Sequence, residues 1–231
     1  MSRRFNLRPF ILAAAALLAG ACATPQPYDY TAFKEARPKS LLVLPPLNNS
    51  PDVNASYSFL SHVTLPLAES GYYVLPVTLV DEMFRENGVT DPGQMHEVPA
   101  AKLKEIFGAD AVLYIKIGQY GTSYSVISSE SRVSAEASLV DLTSGGVLWQ
   151  GSATASSAEG RSSSGGLVGM LVQAIVSQIV ETISDRSHPV AGVTSMRLLS
   201  AGRPGGLLFG PRSPRFRSEE HTSELQSRQY L

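Results

Sequence analysis

Between Tyr124 and Leu142 the side chains alternate in character: Val133, Ala135, Ala137 and Leu139 fall on one side, Ser134, Glu136 and Ser138 on the other. A β-strand points successive side chains to opposite faces, so a run of this kind needs a sheet with one covered face and one wet face. Thr143-Ser144-Gly145-Gly146 follows, and its glycines allow the positive φ of a tight hairpin turn. Val147 to Ala155 then returns, with Trp149 and Ala153 opposing Gln150, Ser152 and Thr154. Upstream, Ala111 to Ile117 (AVLYIKI) is the most strand-like run in the chain and predicts a central strand.

The first half has a different rhythm. Ser40 to Leu44 is a short apolar run closed by Pro45-Pro46, which predicts a buried strand. After the loop at 48–52, Ser56 to Gly71 reads as a helix that Pro66 breaks or kinks after its second turn, C-capped by Gly71. Tyr72 to Leu75 is a second strand ended by Pro76, and Leu79 to Asn87 a short helix with Gly88 behind it. Pro99 opens a helix over Ala100 to Phe107 and Gly108 closes it, with Leu103, Ile106 and Phe107 as its apolar face. Beyond the hairpin, a Ser/Gly-rich loop (156–166) leads to Leu167–Asp185. There Val168, Leu171, Val172, Ile175, Ile179 and Ile183 share one stripe, so this segment predicts an amphipathic helix packed on the sheet. It is too short and too polar to span a membrane. The order β-α-β-α-α, β-β-β, helix implies an α/β fold: a mixed β-sheet with helices packed against it, in a single domain.

The two ends of the chain belong to neither half. Arg3, Arg4 and Arg8 make a basic start, Phe10 to Leu18 is an apolar segment too short for a permanent span, and Ala19-Gly20-Ala21 leads to Cys22. Residues 1–21 therefore read as a signal peptide and Cys22, the one cysteine in the chain, as the lipid attachment site. Stable anchoring takes more than one acyl chain. The alternative is an ordinary A-x-A cleavage releasing a soluble protein, since Leu18 stands four residues before Cys22 where the lipobox pattern prefers three. Export through the general route or a twin-arginine route stays open. Ala23, rather than Asp, follows Cys22, which makes the outer membrane the default destination. Residues 22–38, with three prolines among ATPQPYDYTAFKEARP, read as a tether. At the other end, Arg217 to Ser227 (RSEEHTSELQS) is the frame-one translation of a common sequencing-library adapter. Residues 217–231 are thus expected to be an artefact, leaving 39–216 as the periplasmic domain.

Between Cys22 and Phe216 the chain holds 14 basic and 17 acidic residues, the totals of 19 and 20 less Arg3, Arg4, Arg8, Arg217 and Arg228 on one side and Glu219, Glu220 and Glu224 on the other. A net charge near −3 with no basic run argues against nucleic acid as a partner.

Certain phrases carry a resemblance. They are Gly71-Tyr72-Tyr73-Val74-Leu75-Pro76, Phe107-Gly108-Ala109-Asp110-Ala111-Val112-Leu113-Tyr114-Ile115 and Leu139-Val140-Asp141-Leu142. Through them the chain, over roughly residues 20–216, resembles the lipoproteins of the neisserial GNA type, a domain of unknown function. Asp141-Leu142-Thr143-Ser144-Gly145-Gly146-Val147-Leu148-Trp149 is more loosely similar to a phrase of the curli-secretion (CsgG) and penicillin-binding-protein-activator (LpoB) lipoproteins. The resemblance implies a periplasm-facing assembly partner at the outer membrane, without catalysis, and it supplies no catalytic residues.

The polar and titratable side chains point the same way. His62, His96 and His188 stand singly, without ligand spacing, so no metal site is expected. Ser162-Ser163-Ser164 lacks the spacing of a nucleophile elbow. Gly165 to Gly169 lacks the Lys and Ser/Thr of a phosphate-binding loop. Asp110 reads as a polar cap at a strand entrance, Asp141 and Thr143 as shaping the hairpin turn, and Trp149 as core. No catalytic residue and no cofactor is expected. Two classes remain: a non-enzymatic binding or assembly lipoprotein of the cell envelope, with a protein partner or self-association, or a small-ligand or transport-accessory binding lipoprotein with a cleft at the sheet edge. For the first class the candidate contact surfaces are the loop Asn48 to Tyr57, the hairpin near Tyr120 to Val126, and the loop 156–166.

Overall fold

The computed structural model describes residues 28–124, 129–159 and 186–216. Six strands, β1 (Ser40–Val43), β2 (Leu47–Asn48), β3 (Tyr73–Val74), β4 (Ala111–Tyr124), β5 (Ser129–Asp141) and β6 (Val147–Ser156), form one mixed sheet in the order β3-β1-β4-β5-β6. The β4–β5–β6 unit is antiparallel, whereas β1 runs parallel to both β3 and β4. β2 rejoins β4 further along the same edge, pairing Leu47 with Lys116 and Asn48 with Ile117. Pro45 and Pro46 fall between β1 and β2 and have no N–H to give a ladder, which is why the strand is interrupted there.

The α/β class and the central place of the Ala111 run are as the sequence implies. Seven helices accompany the sheet in the described residues: α1 (Thr31–Ala36), α2 (Ala55–Leu60), α3 (Thr64–Glu69), α4 (Val77–Glu86), α5 (Pro92–His96), α6 (Ala100–Phe107) and α7 (Ser187–Leu199). One face of the sheet packs the larger core. Leu41, Val43, Leu113, Ile115, Ile117, Val133, Ala135, Leu139 and Trp149 meet Phe59, Leu67, Val190, Ala191, Leu198 and Leu199 there. The smaller core lies on the opposite face, where Leu42, Leu44 and Val112 meet Val80, Phe84, Met95 and Leu103.

Several details differ from the sequence reading. The helix expected over 56–71 is indeed interrupted, but as two helices separated at 61–63, before Pro66, which sits in the first turn of α3, where its missing N–H costs no helical bond. On α6 Leu103 is fully buried, but Ile106 is 44% exposed, so the apolar face is narrower than its composition suggests. Residues 28–38, expected within the tether, are docked on the domain from Tyr28 onward: Phe33 is 4% exposed inside the larger core. The chain after α7 is equally bound in, through Gly210 N–H to Ser70 O at 2.8 Å and Arg212 N–H to Gly71 O at 3.1 Å. The expected helix at 167–185, residues 1–27 and residues 217–231 lie outside the described residues.

Candidate interaction surface

The far ends of the long β4 and β5 strands bring described residues of two of the three expected contact loops together with the start of the third. A concavity of about 500 Å³ is lined by Pro51, by Gly118 to Ser123 on β4, and by Glu130 and Arg132 on β5. A bulge at Gly118, between Ile117 and Gln119, shifts the register there and turns the strand.

The described residues of these loops are fastened. The Asn48 side chain accepts from Ser50 N–H at 2.8 Å and Ser50 Oγ at 2.7 Å, and its Nδ2 donates to Asp52 O at 2.6 Å. Ser56 Oγ donates to Pro46 O at 2.7 Å from a buried position. These bonds hold Val53, 85% exposed, at the tip of the loop. Tyr57, 41% exposed, accepts from Arg85 Nη2 at 2.7 Å, and Arg85 also pairs with Asp81 at 2.9 Å. Across the sheet, Ser131 and Ser157 exchange bonds (Ser131 N–H to Ser157 Oγ and Ser157 N–H to Ser131 O, both 2.9 Å), pulling the start of the third loop against the same end. Glu130 accepts from Arg132 Nη2 at 2.7 Å and from Ser156 Oγ at 2.5 Å. Glu159 accepts from Ser156 N–H at 2.9 Å and pairs with Arg197. The hydrogen bonds of Arg197, ahead of its charge, hold the Glu159 carboxyl below the usual carboxylate range.

The structure also joins residues that are remote in sequence. His62, from the α2–α3 break, and His188, in the first turn of α7, lie against each other. Ser58 Oγ sits 2.7 Å from His188 Nδ1 and 2.6 Å from Tyr120 Oη. No sequence spacing signals this group, because its members come from three separate elements. His96 stands apart, its Nε2 at 2.9 Å from Pro45 O, and burial pulls its pKa down. Among the described residues no cluster of three or more His, Cys, Asp or Glu side chains could hold a metal ion.

A second concavity, about 480 Å³, lies on the wet face of the sheet beside α5 and was not singled out by the sequence. It is lined by His96 and by Tyr114 and Lys116 of β4, Glu136 and Ser138 of β5, and Gln150 and Ser152 of β6, with Leu47 at its rim. The signal that could have found it is the polar side of the alternation itself. The remaining expectations fall into place nearby. Asp110 caps the entrance of β4 by accepting from Lys39 N–H, Ser40 N–H and Ser40 Oγ at 2.9–3.0 Å. Asp141 accepts from Ser144 N–H and Oγ at 2.6 and 2.7 Å in the hairpin turn, and Thr143 is exposed there. Trp149 is core, 1% exposed. Cys22, Ser162 to Ser164 and Gly165 to Gly169 lie outside the described residues.

This is an α/β sheet protein whose exposed chemistry is spread over fixed loops and one polar sheet face. The chain belongs to the family described as "Putative lipoprotein GNA1162-like", which matches residues 28–212. It is 46% identical over 209 residues to the "Putative lipoprotein NMB1124/NMB1162" of Neisseria meningitidis serogroup B, covering 89% of this chain and 97% of that protein. The crystal structure of lipoprotein GNA1162 from Neisseria meningitidis is similar at 49% identity and a TM-score of 0.52, covering 63% of this chain and all of that one. A weaker likeness, at 14% identity and a TM-score of 0.37, is to the LpoB C-terminal domain from Escherichia coli, over 65% of this chain and 98% of that one. No helix among the described residues is long and apolar enough to cross a membrane.

Proposed function

We propose that the chain is a lipoprotein of the outer membrane, anchored through acylated Cys22, which acts as a non-enzymatic binding or assembly partner in the cell envelope. The observation that supports this reading is the convergence of the 48–57 loop, the β4–β5 arms and the 156–159 turn on one end of the sheet. Contact loops fastened to a rigid scaffold present a fixed surface, which lowers the ordering cost of binding. Val53 and Tyr57 give that surface apolar and aromatic anchors, and Arg132 and Glu130 give it charge. Photo-cross-linking in cells tests it. A photoreactive residue at Val53 or Gln119 is expected to capture the same envelope protein, and one at Glu105 on α6 to capture none. Equal capture from all three positions would overturn the assignment of the surface.

The concavity beside His96 favours a second reading, a small polar ligand. Its volume lies in the range of small-molecule sites, about 300–1,000 Å³. Native mass spectrometry of the protein purified from its membrane is expected to show a bound small molecule under this reading, lost on Glu136→Ala and Tyr114→Ala.

A further inference from the structure

Tyr28, held on the domain, stands close in sequence to the proposed anchor at Cys22. Tyr28 Oη accepts from the backbone N–H of Gln150 at 2.9 Å, its ring lies 4.7 Å from that of Tyr30, and Tyr30 Oη donates to Gly206 O at 2.5 Å. These contacts hold Tyr28 on the outer edge of β6 near its start. From Cys22 to Tyr28 there are six residue steps, a reach of at most about 20 Å for a fully extended chain. Gln150 pairs with Ser138, and the opposite end of β5 is Ser129. Those nine residue steps span about 30 Å at strand rise. The leash is therefore shorter than the sheet is long.

We infer that this short leash orients the domain: it holds the start of β6, with Tyr28 and Val147, against the phospholipid surface of the membrane that carries the anchor, and turns the contact loops away from it. The inference rests on acylation of Cys22 as proposed above. The chemistry of that edge suits a lipid headgroup surface. Tyr28 is 38% exposed beside Tyr30, and Val147 is 51% exposed three residues from Gln150. Tyrosine pairs an apolar ring with a polar tip, the combination favoured where hydrocarbon meets water. The consequence is a limit on the partner. A protein engaged by the loop end must present its binding surface within about 50 Å of the same bilayer, leash and sheet together.

Acylation uses the thiol of Cys22, the one cysteine in the sequence, so an introduced cysteine can be labelled alone. The full lipidated chain carrying Val147→Cys, Thr143→Cys or Val53→Cys is labelled with a fluorophore. It is then bound to phosphatidylethanolamine/phosphatidylglycerol vesicles containing a headgroup nitroxide quencher. Labels at 147 and 143 are expected to be quenched several-fold more than the label at 53. Inserting twenty Gly/Ser residues between Thr24 and Pro25 is expected to remove the difference. Equal quenching in the bound, acylated chain overturns the orientation while leaving the anchor intact. A difference that survives the insertion overturns the leash as its cause. A chain that stays off the vesicles with a free Cys22 thiol by mass spectrometry overturns the lipoprotein reading itself.

Discussion

The imidazole rings of His62 and His188 lie 4.3 Å apart and tilted by 44°, joining the α2–α3 break to the first turn of α7. Gly192 makes room for the contact, since a Cβ there would come within 3.2 Å of His62 Nδ1. Ser195 Oγ fastens the same region by donating to His62 O at 3.0 Å, and His62 Nε2 is buried without a hydrogen-bond partner among the described residues. A proton on His62 would therefore be buried and would face a second imidazole. Burial first, then the charge of His188, lowers the His62 pKa from 6.5.

The pH dependence follows from that direction. A base whose folded-state pKa is depressed binds fewer protons folded than unfolded, so its contribution to stability is full above 6.5 and is lost as pH falls below it. His96 acts with the same sign, again through burial. Urea denaturation from pH 7.5 to pH 5 is expected to show falling stability, with most of the slope removed in His62→Gln/His96→Gln. An unchanged slope in that variant would assign the acid sensitivity to other groups.

Asp110→Ala is expected to cost about 1–2 kcal/mol, the worth of charge-assisted hydrogen bonds discounted for partial exposure. The carboxylate ties the entrances of β1 and β4 together through Lys39 and Ser40, with Lys104 Nζ 3.8 Å away. Burial alone would raise its pKa, but those donors and that cation outweigh burial and lower it. Asp110→Asn keeps one acceptor oxygen and is expected to lose less. Equal losses would mean that the charge adds nothing to the bonds.

Gly71→Ala is expected to destabilise the fold by at least about 2 kcal/mol, through both positive φ and close packing. Its φ is 96°, and an added Cβ would stand 2.4 Å from Ser213 N and 2.7 Å from Gly210 O. The clash falls on the segment after α7, so hydrogen exchange at Gly210 and Arg212 should accelerate more than exchange in β4. Uniform acceleration would argue that the segment is not the point of failure.

Trp149→Phe is expected to cost about 1 kcal/mol and Trp149→Ala about 3–5 kcal/mol, read from denaturant midpoints. The indole donates to Gly205 O at 2.9 Å while the ring fills the larger core, so phenylalanine loses the bond and some volume, and alanine loses the ring as well. Gly151→Ala should also destabilise, by overpacking rather than by a cavity, because its Cβ would overlap Trp149 Cζ2.

The parts of this fold that could be read in the sequence are those where one face is apolar throughout. The Val133 to Leu139 alternation, the Gly145 turn and the Pro99–Gly108 helix all emerge where expected, because period and punctuation agree. Helix α7 was missed for the opposite reason. Its buried side includes Thr194 and Ser195 as well as Val190, Ala191 and Leu198, and Thr194 Oγ1 is satisfied by Val190 O at 2.9 Å. A stripe of small and hydroxyl side chains has no helical hydrophobic period to detect. α5 was also missed, although Asp91 accepts from Gln94 N–H at 3.1 Å and Pro92 follows it, a start signal on a helix too short to show a period. At the candidate surface the loops were legible from composition alone. The His62–His188 contact depends on tertiary pairing and left no local trace, whereas the concavity beside His96 showed only as the polar side of the strand alternation, with His96 added by the fold.

The two borders of the sheet share a property that bears on life in a crowded compartment. An open border of unpaired N–H and C=O groups invites another strand, whether from a neighbour or from a misfolded copy. On the β6 side, Tyr28 occupies Gln150 N–H, Arg197 Nη1 occupies Thr154 O at 2.8 Å, and Glu159 occupies Ser156 N–H. On the other side β3 is two residues long, and Pro45-Pro46 withhold their donors beside β4. Anchored as proposed above, the chain would meet its copies in two dimensions at high local density. Where the borders are stopped in this way, such encounters find fewer open ladder groups from which strand exchange could start.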